Sequence, residues 1–434
     1  MTSNPLFEGL DENQRLAVEA VRGRVAIIAT AGSGKTRVIT NRIANAIETK
    51  THTSEHGLAL TFTNKAANEI RARLSRLKVA PITAATFHST ALRQLAHFWP
   101  QVVGGNMWNV ISTKTSLIEQ AAGSARISLD DRTRRTVISE IEWAKSSGLD
   151  VENYLKIERN TDDVNSASIA DIWTRYSDLT KRNNVLDFED ILQLNLGMLT
   201  SFPDVLQQVR QRYTWFTVDE FQDVTPLQNE LLQLWVGNRN ELCVVGDPAQ
   251  TIYSFAGANA NFLKDFKHNH PETLQIELNR TYRCPEKICT AANSLMNTSA
   301  TPSFMVSAKS DDGAVNLQHY VDEKDEAEGI ANRVAELIKS GVDAREIAIL
   351  LRINSMSAVF ESVFDSLNIP YTMRGITKFF ERPEVKQVLL DLRVGSYISS
   401  DISMLAAVKK IAELHGWTEQ PKHSSETART RWES

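Results

Sequence analysis

Cysteine is scarce in this 434-residue chain, with only Cys243, Cys284 and Cys289 present. An odd count without paired spacing, and without a cysteine–histidine cluster, argues against a disulfide framework and against a zinc site. Long apolar runs are also missing. The longest near the front, VAIIATAG, falls far short of the ~20 residues that a membrane-spanning helix needs. The opening, MTSNPLFEGLDENQ, is polar and acidic, unlike a secretory signal. A cytoplasmic location with no membrane partner is therefore expected. There is no basic excess either: 48 Lys and Arg against 53 Asp and Glu leave a net charge of −5. That excludes a uniformly basic nucleic-acid binder but permits a locally positive groove, because net charge and charge placement are separate matters. Internal repeats and low-complexity tracts are absent. What remains is ordinary globular composition, 42% hydrophobic and 23% charged, in a chain long enough for two to four domains.

The hydrophobic pattern alternates between two periods. RVAIIAT (24–30) is apolar on both faces, as a strand buried in a parallel sheet requires. A glycine turn follows, then a helix from about Lys35. GLALTFT (57–63) and ITAATF (82–87) read as further strands. Between them, residues 65–78 form a helix with Ala66, Ile70, Leu74 and Leu77 on one face. This βαβα order predicts an α/β fold with a doubly wound parallel sheet. Residues 100–212 turn polar and helical (TRRTVISEIEWAKSSG, ASIADIWTRYSDLTKR). Strands then return at WFTVDEF (215–221) and ELCVVGD (241–247), so the helical stretch reads as a domain inserted into one sheet. A second βα series is expected from about 273, with strands at TLQIELN, AVNLQHYV, EIAILLR and IPYTMRG and helices near 322–339, 355–367 and 383–398.

The chemistry starts at residues 29–36, ATAGSGKT, directly after a strand and opening a helix. Gly32 and Gly34 let the backbone curl so that the N–H groups of Ala31 to Gly34, Ser33 included, point at phosphate oxygens. The helix start adds a positive dipole end. Lys35 can reach the β- and γ-phosphates, and the Thr36 hydroxyl can ligate Mg²⁺. The first glycine of the common eight-residue form is Ala29 here, so this is the shorter variant. The second half of such a site is VDEFQD (218–223), which ends a hydrophobic strand. Asp219 is placed to hold Mg²⁺, and Glu220 to activate the attacking water. In GDPAQTIYSFAGA (246–258), Gln250 can sense a γ-phosphate. Arg283, in RTYRCP, is a candidate cation for the same phosphate, although an arginine after a strand is more often a surface residue.

These blocks occur in one order: LDENQRLAV, ATAGSGKTRVIT, LTFTNKAANEIRARL, TFHS, VDEFQD, VGDPAQTIYSFAGA, LNRTYRCP and FFERPEVKQVLLDLR. That order, over about residues 6–395, resembles the UvrD/Rep/PcrA-like superfamily 1A DNA helicases. The ending GWTEQP…RTRWES is similar to a second UvrD-like branch found in actinobacteria. The resemblance implies P-loop NTPase, RecA-like motor domains with a helical insertion. It implies ATP and Mg²⁺ as cofactors, and single-stranded DNA and single-strand/duplex junctions as partners. The implied activity is ATP-driven 3′→5′ translocation and unwinding in DNA repair or replication. Gln14 would read the adenine edge, Tyr282 would stack on the adenine, and Arg37 would lie near the base and ribose. Phe62, Asn64 and Lys65, then Phe87 and His88, fall in the family's DNA-contacting segments. Tyr253 and Phe255 stand where the family stacks single-stranded bases, which suits a motor that must ignore sequence. By residue type alone, core packing is the favoured reading of Phe62 and Phe255, and only the motif register reverses it.

Two departures stand out. Ala256 replaces a common motif arginine, and Phe255 replaces a common tryptophan. No TxHxxKGLE-like or RxxYVAxTRA-like motif is found, so the arginine finger that the family draws from its second motor domain is not seen. The expected organisation is a first motor domain in 1–100 and 213–280, a helical insertion in 101–212, an incomplete second motor domain in 281–398, and a tail or further insertion in 399–434. As given, the chain is expected to be a poor helicase. The rival readings are an ATP- and DNA-binding fragment, a helicase–nuclease subunit, and a P-loop ATPase acting on protein.

Overall fold

The computed structural model describes residues 4–157, 159, 161, 163–298 and 303–373. The chain divides between Val315 and Asn316 into two units. In the first, helix α1 (Glu12–Glu19) precedes strand β1 (Arg24–Ala29) and α2 (Lys35–Glu48). Next come β2 (Gly57–Thr61), α3 (Asn64–Arg76), β3 (Thr83–Thr86) and α4 (Phe87–Val102). The helical stretch holds α5 (Thr115–Ser124), α6 (Asp131–Ser146), α7 (Val151–Lys156), α8 (Ser166–Arg182), α9 (Phe188–Ser201) and α10 (Pro203–Arg212). It also carries a two-residue ladder of β4 (Asn109–Val110) with β5 (Val185–Leu186). The chain then returns through β6 (Trp215–Val218), α11 (Pro226–Val236), β7 (Leu242–Gly246) and the short helices α12 (Asn261–Lys264) and α13 (Phe266–Asn269). It ends the unit with β8 (Leu274–Leu278), β9 (Arg280–Thr281), α14 (Glu286–Met296) and β10 (Val306–Ser307).

The main sheet runs β3-β2-β6-β7-β1-β8, and every neighbouring pair is parallel. Successive strand residues face opposite sides, so both faces are covered. Val25, Ile27, Ala29, Cys243 and Val245 face α1, α2 and α3. Ala26, Leu58, Leu60, Phe216, Val218 and Val244 face α4, α9, α10 and α11. In a parallel sheet all strands end at one edge, and the connections after β1, β2, β3, β6, β7 and β8 gather there. That edge is where an open α/β sheet builds its sites.

The helical stretch does enter the sheet between β3 and β6, but it is not one separate body. Its own core joins α5 to α8 through Ile118, Ile141, Tyr154, Ile169 and Trp173. Leu192 and Leu199 of α9 and Val209 of α10 belong to the sheet's core instead. In α3, Ala67 takes the buried place expected for Ala66, beside Ile70 and Leu74.

The expected second series is corrected in two ways. TLQIELN belongs to the first sheet: β8 pairs with β1, burying Ile276 and Leu278 and leaving Gln275 and Glu277 outside, as an edge strand does. Residues 281–315 also stay with the first unit. AVNLQHYV, EIAILLR and the described part of IPYTMRG form no strand. The second unit instead packs α15 (Glu323–Lys339) on α16 (Ser357–Ser366) through Ala327, Ala331, Val334, Phe360 and Phe364. The expected helix at 383–398 and the tail at 399–434 lie outside the described residues. Among the described residues, no helix is long and apolar enough to cross a membrane.

Candidate functional site

After β1 the chain turns through Gly32 (φ 74°) and Gly34 (φ 83°), a conformation that a side chain resists. Space demands glycine as well. A Cβ on Gly32 would meet Arg283 Cβ and Thr281 Oγ1 at 2.6 Å, and one on Gly34 would meet Gln14 Nε2 at 2.9 Å. Lys35 opens α2, and its Nζ lies 2.7 Å from Glu220 Oε2. Glu220 follows β6 with left-handed backbone (φ 53°). Strain of this kind in a non-glycine residue concentrates at functional sites.

Two carboxyls beside this lysine differ in character. Asp219 is buried, and desolvation together with the charge of Glu220 pushes it up to about 6 despite Lys35. Burial would also raise Glu220, but the Lys35 ammonium and the Gln222 amide outweigh it and hold Glu220 below its ordinary range. Among the described residues no three His, Cys, Asp or Glu side chains converge as a metal cage. Buried Asp219, with Thr36 in the first turn of α2, would fit Mg²⁺, which takes few protein donors and completes its shell with water and phosphates.

Behind Glu220 stands Gln222, 1% exposed. Its Nε2 donates to Glu220 Oε2 (2.8 Å) and Asp223 Oδ2 (3.3 Å), and its Oε1 accepts from the Asp247 N–H (3.0 Å). Gln250 donates to Asp247 Oδ2 at 2.8 Å. Gln250 therefore reaches Glu220 through Asp247 and Gln222.

The predicted base-binding residues gather on the other side of the loop. Tyr282 N–H donates to the Gly32 carbonyl (2.9 Å), and its hydroxyl donates to Asp11 (2.6 Å), leaving the ring half-exposed. Arg37 donates to the Gly9 and Glu8 carbonyls. Gln14 is buried, with Nε2 on the Ser33 carbonyl (2.9 Å) and Oε1 accepting from Asp11 N–H (3.2 Å) in a capping box. Ser33 spends its hydroxyl on the Thr30 carbonyl. Arg283 is exposed next to the loop.

Along the same sheet edge runs an aromatic track. Phe62, 42% exposed, stacks on Tyr253 (centroids 4.6 Å), and Phe255, 74% exposed, lies 6.2 Å beyond Tyr253. Exposed Asn64 accepts from Ser89 Oγ (3.3 Å), and His88 stacks on Phe188 at 3.7 Å. Lys65 is exposed beside Asn64. On α3, Arg73 is paired with Glu69, and Arg71 donates to the Ala84 carbonyl. Phe87 is a correction. Thr86 caps α4, so Phe87, its first residue, turns inward to stack on Trp235 in the core and offers no face to a base.

Burial lowers His88 to about 4. The unfolded chain, with His88 near 6.5, then binds more protons than the folded chain between pH 6.5 and 4. Stability should fall as pH drops through that window, by at most roughly 3 kcal/mol. Melting curves across this range should show a flatter pH dependence for His88→Phe, which keeps a ring against Phe188. Equal slopes in both proteins would contradict the assignment.

A model described as the UvrD/REP helicase N-terminal domain matches residues 10–271, more than half of the chain. The chain belongs to the UvrD/REP helicase family. A second model, the UvrD-like helicase C-terminal domain, matches residues 276–428. The chain is 37% identical over 453 aligned residues to the ATP-dependent DNA helicase UvrD2 of Mycobacterium tuberculosis, covering 100% of this chain and 65% of that protein. It is 33% identical to the ATP-dependent DNA helicase PcrA of Staphylococcus epidermidis, covering 92% of this chain and 56% of that relative. The parallel α/β sheet is of the RecA-like type found in motor domains of the UvrD/REP family.

Within this UvrD/REP chain, several site-lining residues carried little signal in the sequence. Gln222 is one neutral amide among acids, and only its place two residues after Glu220 hints at it. Thr281 of β9, fully buried, closes against the glycine loop at Gly32. Phe188 is 53% exposed in LDFED, where an aromatic ring at a helix start next to acids has no core to enter.

Proposed function

We propose that this chain binds ATP with Mg²⁺ at the glycine loop and couples its hydrolysis to movement along single-stranded DNA. The observation that carries the proposal is the continuity of one sheet edge. Lys35 and Glu220 are joined through Gln222 and Asp247 to the loop that bears Tyr253 and Phe255. Lys35 exchanges Glu220 for the β- and γ-phosphates. Thr36 and Asp219 would hold Mg²⁺, which when bound would supply positive charge to the phosphoryl oxygens. Glu220 accepts a proton from the attacking water, and Gln222 keeps its carboxylate aimed. Gln250 senses the γ-phosphate, and Arg283 supplies a cation beside it. Tyr282, Gln14 and Arg37 surround the base, and Gln14 exchanges its present partners to do so. Phe62, Tyr253, Phe255, His88 and Phe188 form the base-stacking track, with Asn64 and Lys65 at the DNA backbone. Residues 1–100 and 213–280 would form the first motor domain around a helical insertion at 101–212, and 281–398 an incomplete second motor domain.

The 3′→5′ polarity follows the family resemblance. Strand separation should require ATP and a 3′ single-stranded tail on the duplex. A preference for 5′-tailed duplex, or separation without ATP, would overturn the polarity or the motor. The chain spans 65% of the length of its mycobacterial relatives. A second reading is ATP and DNA binding with little unwinding. The same assay separates the two, since that reading predicts oligonucleotide binding without strand separation.

Phe255→Ala should weaken single-stranded DNA binding by about 1–3 kcal/mol, the cost of one lost base–aromatic stack. Affinity should also fall steeply with salt, because phosphate contacts release counterions. Fluorescence anisotropy of a labelled oligonucleotide across a salt series measures both. An inert Phe255 with a flat salt response would point to a protein substrate.

A further inference from the structure

A buried charge cluster lies behind the aromatic track, and the catalytic scheme makes no use of it. Lys145, near the end of α6, is 4% exposed, and its Nζ lies 2.7 Å from both carboxylate oxygens of Asp187. It also donates to Asp190. Asp187 is 1% exposed, caps α9 in a capping box with Asp190, and accepts from the Tyr176 hydroxyl at 2.8 Å. Lys114 adds a second cation, 3.7 Å from Asp187 and 3.0 Å from Glu142, and also pairs with Glu189. The two lysines hold the Asp187 carboxyl well below the ordinary range against the effect of burial.

Both partners of the Lys145–Asp187 pair sit next to the track. The residue after Asp187 is Phe188, the exposed ring stacked on His88. The end of α6 backs the 254–256 turn: a Cβ on Gly257 (φ 96°) would lie 3.4 Å from Ser146 Cβ and Ser147 Oγ and 3.7 Å from the Trp143 carbonyl. One ion pair therefore ties the N-terminus of α9, which presents Phe188, to the end of α6, which supports Phe255.

We propose that Lys145 is a positioning residue for DNA binding, fixing through Asp187 the spacing between the Phe188 end and the Phe255 end of the aromatic track. This rests on the reading of that track as the base-stacking surface. Stability alone is a weak reason for such a pair, because desolvation offsets much of its Coulomb gain and an apolar pair fills the same space as well. A defined geometry is what the pair supplies: two carboxylate oxygens, a helix cap and a phenol all converge on it. Bases stack on separate rings simultaneously only if the rings keep the spacing of the strand.

The test uses the full chain and a fluorescent oligo-dT. Lys145→Met removes the cation but leaves Asp187 short of one partner, so it can unfold the helical stretch. Lys145→Met with Asp187→Asn removes both charges and keeps an acceptor at the cap, and this folded double variant carries the decision. Oligo-dT affinity should drop at least tenfold, with an unchanged slope of log affinity against log salt, because stacking is lost and phosphate contacts are not. Affinity for a fluorescent ATP analogue should stay within twofold. Wild-type oligo-dT affinity in the folded double variant would overturn the proposal and leave the pair a purely structural one. Phe188→Ala and Phe255→Ala are measured alongside. If neither weakens oligo-dT binding, the stacking surface itself is wrong, and the positioning role fails with it for that separate reason.

Discussion

Replacing Glu220 by Gln should lower the rate of ATP hydrolysis by roughly 10²- to 10⁴-fold, the contribution typical of a positioned general base. The substitution keeps the shape and a hydrogen-bonding amide but removes the oxygen that can take a proton. In the nucleotide-free chain Lys35 and Gln222 hold Glu220 ionised, and Gln222 stays on the carboxylate when Lys35 turns to the phosphates. ATP binding should be unchanged or tighter, since the variant frees Lys35 from a carboxylate 2.7 Å away and removes a negative charge near the phosphates. Single-turnover hydrolysis and binding of a fluorescent ATP analogue separate the two effects. A Glu220→Gln chain that hydrolyses ATP within tenfold of the parent would remove Glu220 from the chemistry and direct attention to Asp219 or Asp223, the latter pushed up to about 6 by burial and by Glu220.

Lys35→Ala should show the opposite pattern. The loss of a charge-assisted contact to phosphate costs about 2–3 kcal/mol, or roughly 30- to 150-fold in ATP affinity. The partly buried Glu220 would also lose its cation, so the nucleotide-free chain should unfold more easily. Oligonucleotide binding should hardly change, because the aromatic track lies on other loops. Unaltered ATP affinity would refute the assignment of the glycine loop.

Much of the fold and the candidate site is legible in the residues themselves. The glycine loop announces itself because Gly32 and Gly34 stand between a strand and a helix, directly ahead of Lys35 and Thr36. The strands β1, β6 and β7 are apolar on both faces, which only a covered parallel sheet explains. Alternation alone, however, could not assign β8 to a sheet: an edge strand of the first sheet and the opening strand of a second share the same period. Nor could the TFHS block tell which ring turns inward. The Thr86 cap decides that, rotating Phe87 into the core and leaving His88 half-buried against Phe188. Lys145 and Asp187 are 42 residues apart. Each reads as an ordinary helix-surface charge until the fold buries them together. Gln222 is similar, because its value lies in spanning two loops that are distant in sequence.

The central claim is that the phosphate loop and the aromatic track work as one device. Its most direct test is the steady-state rate of ATP hydrolysis as single-stranded oligonucleotide is added to the wild-type chain and to Phe255→Ala. Oligonucleotide should raise the wild-type rate to a plateau, and Phe255→Ala should need a higher concentration to reach it. A wild-type rate indifferent to oligonucleotide, from a chain shown to bind both ligands, would contradict the account.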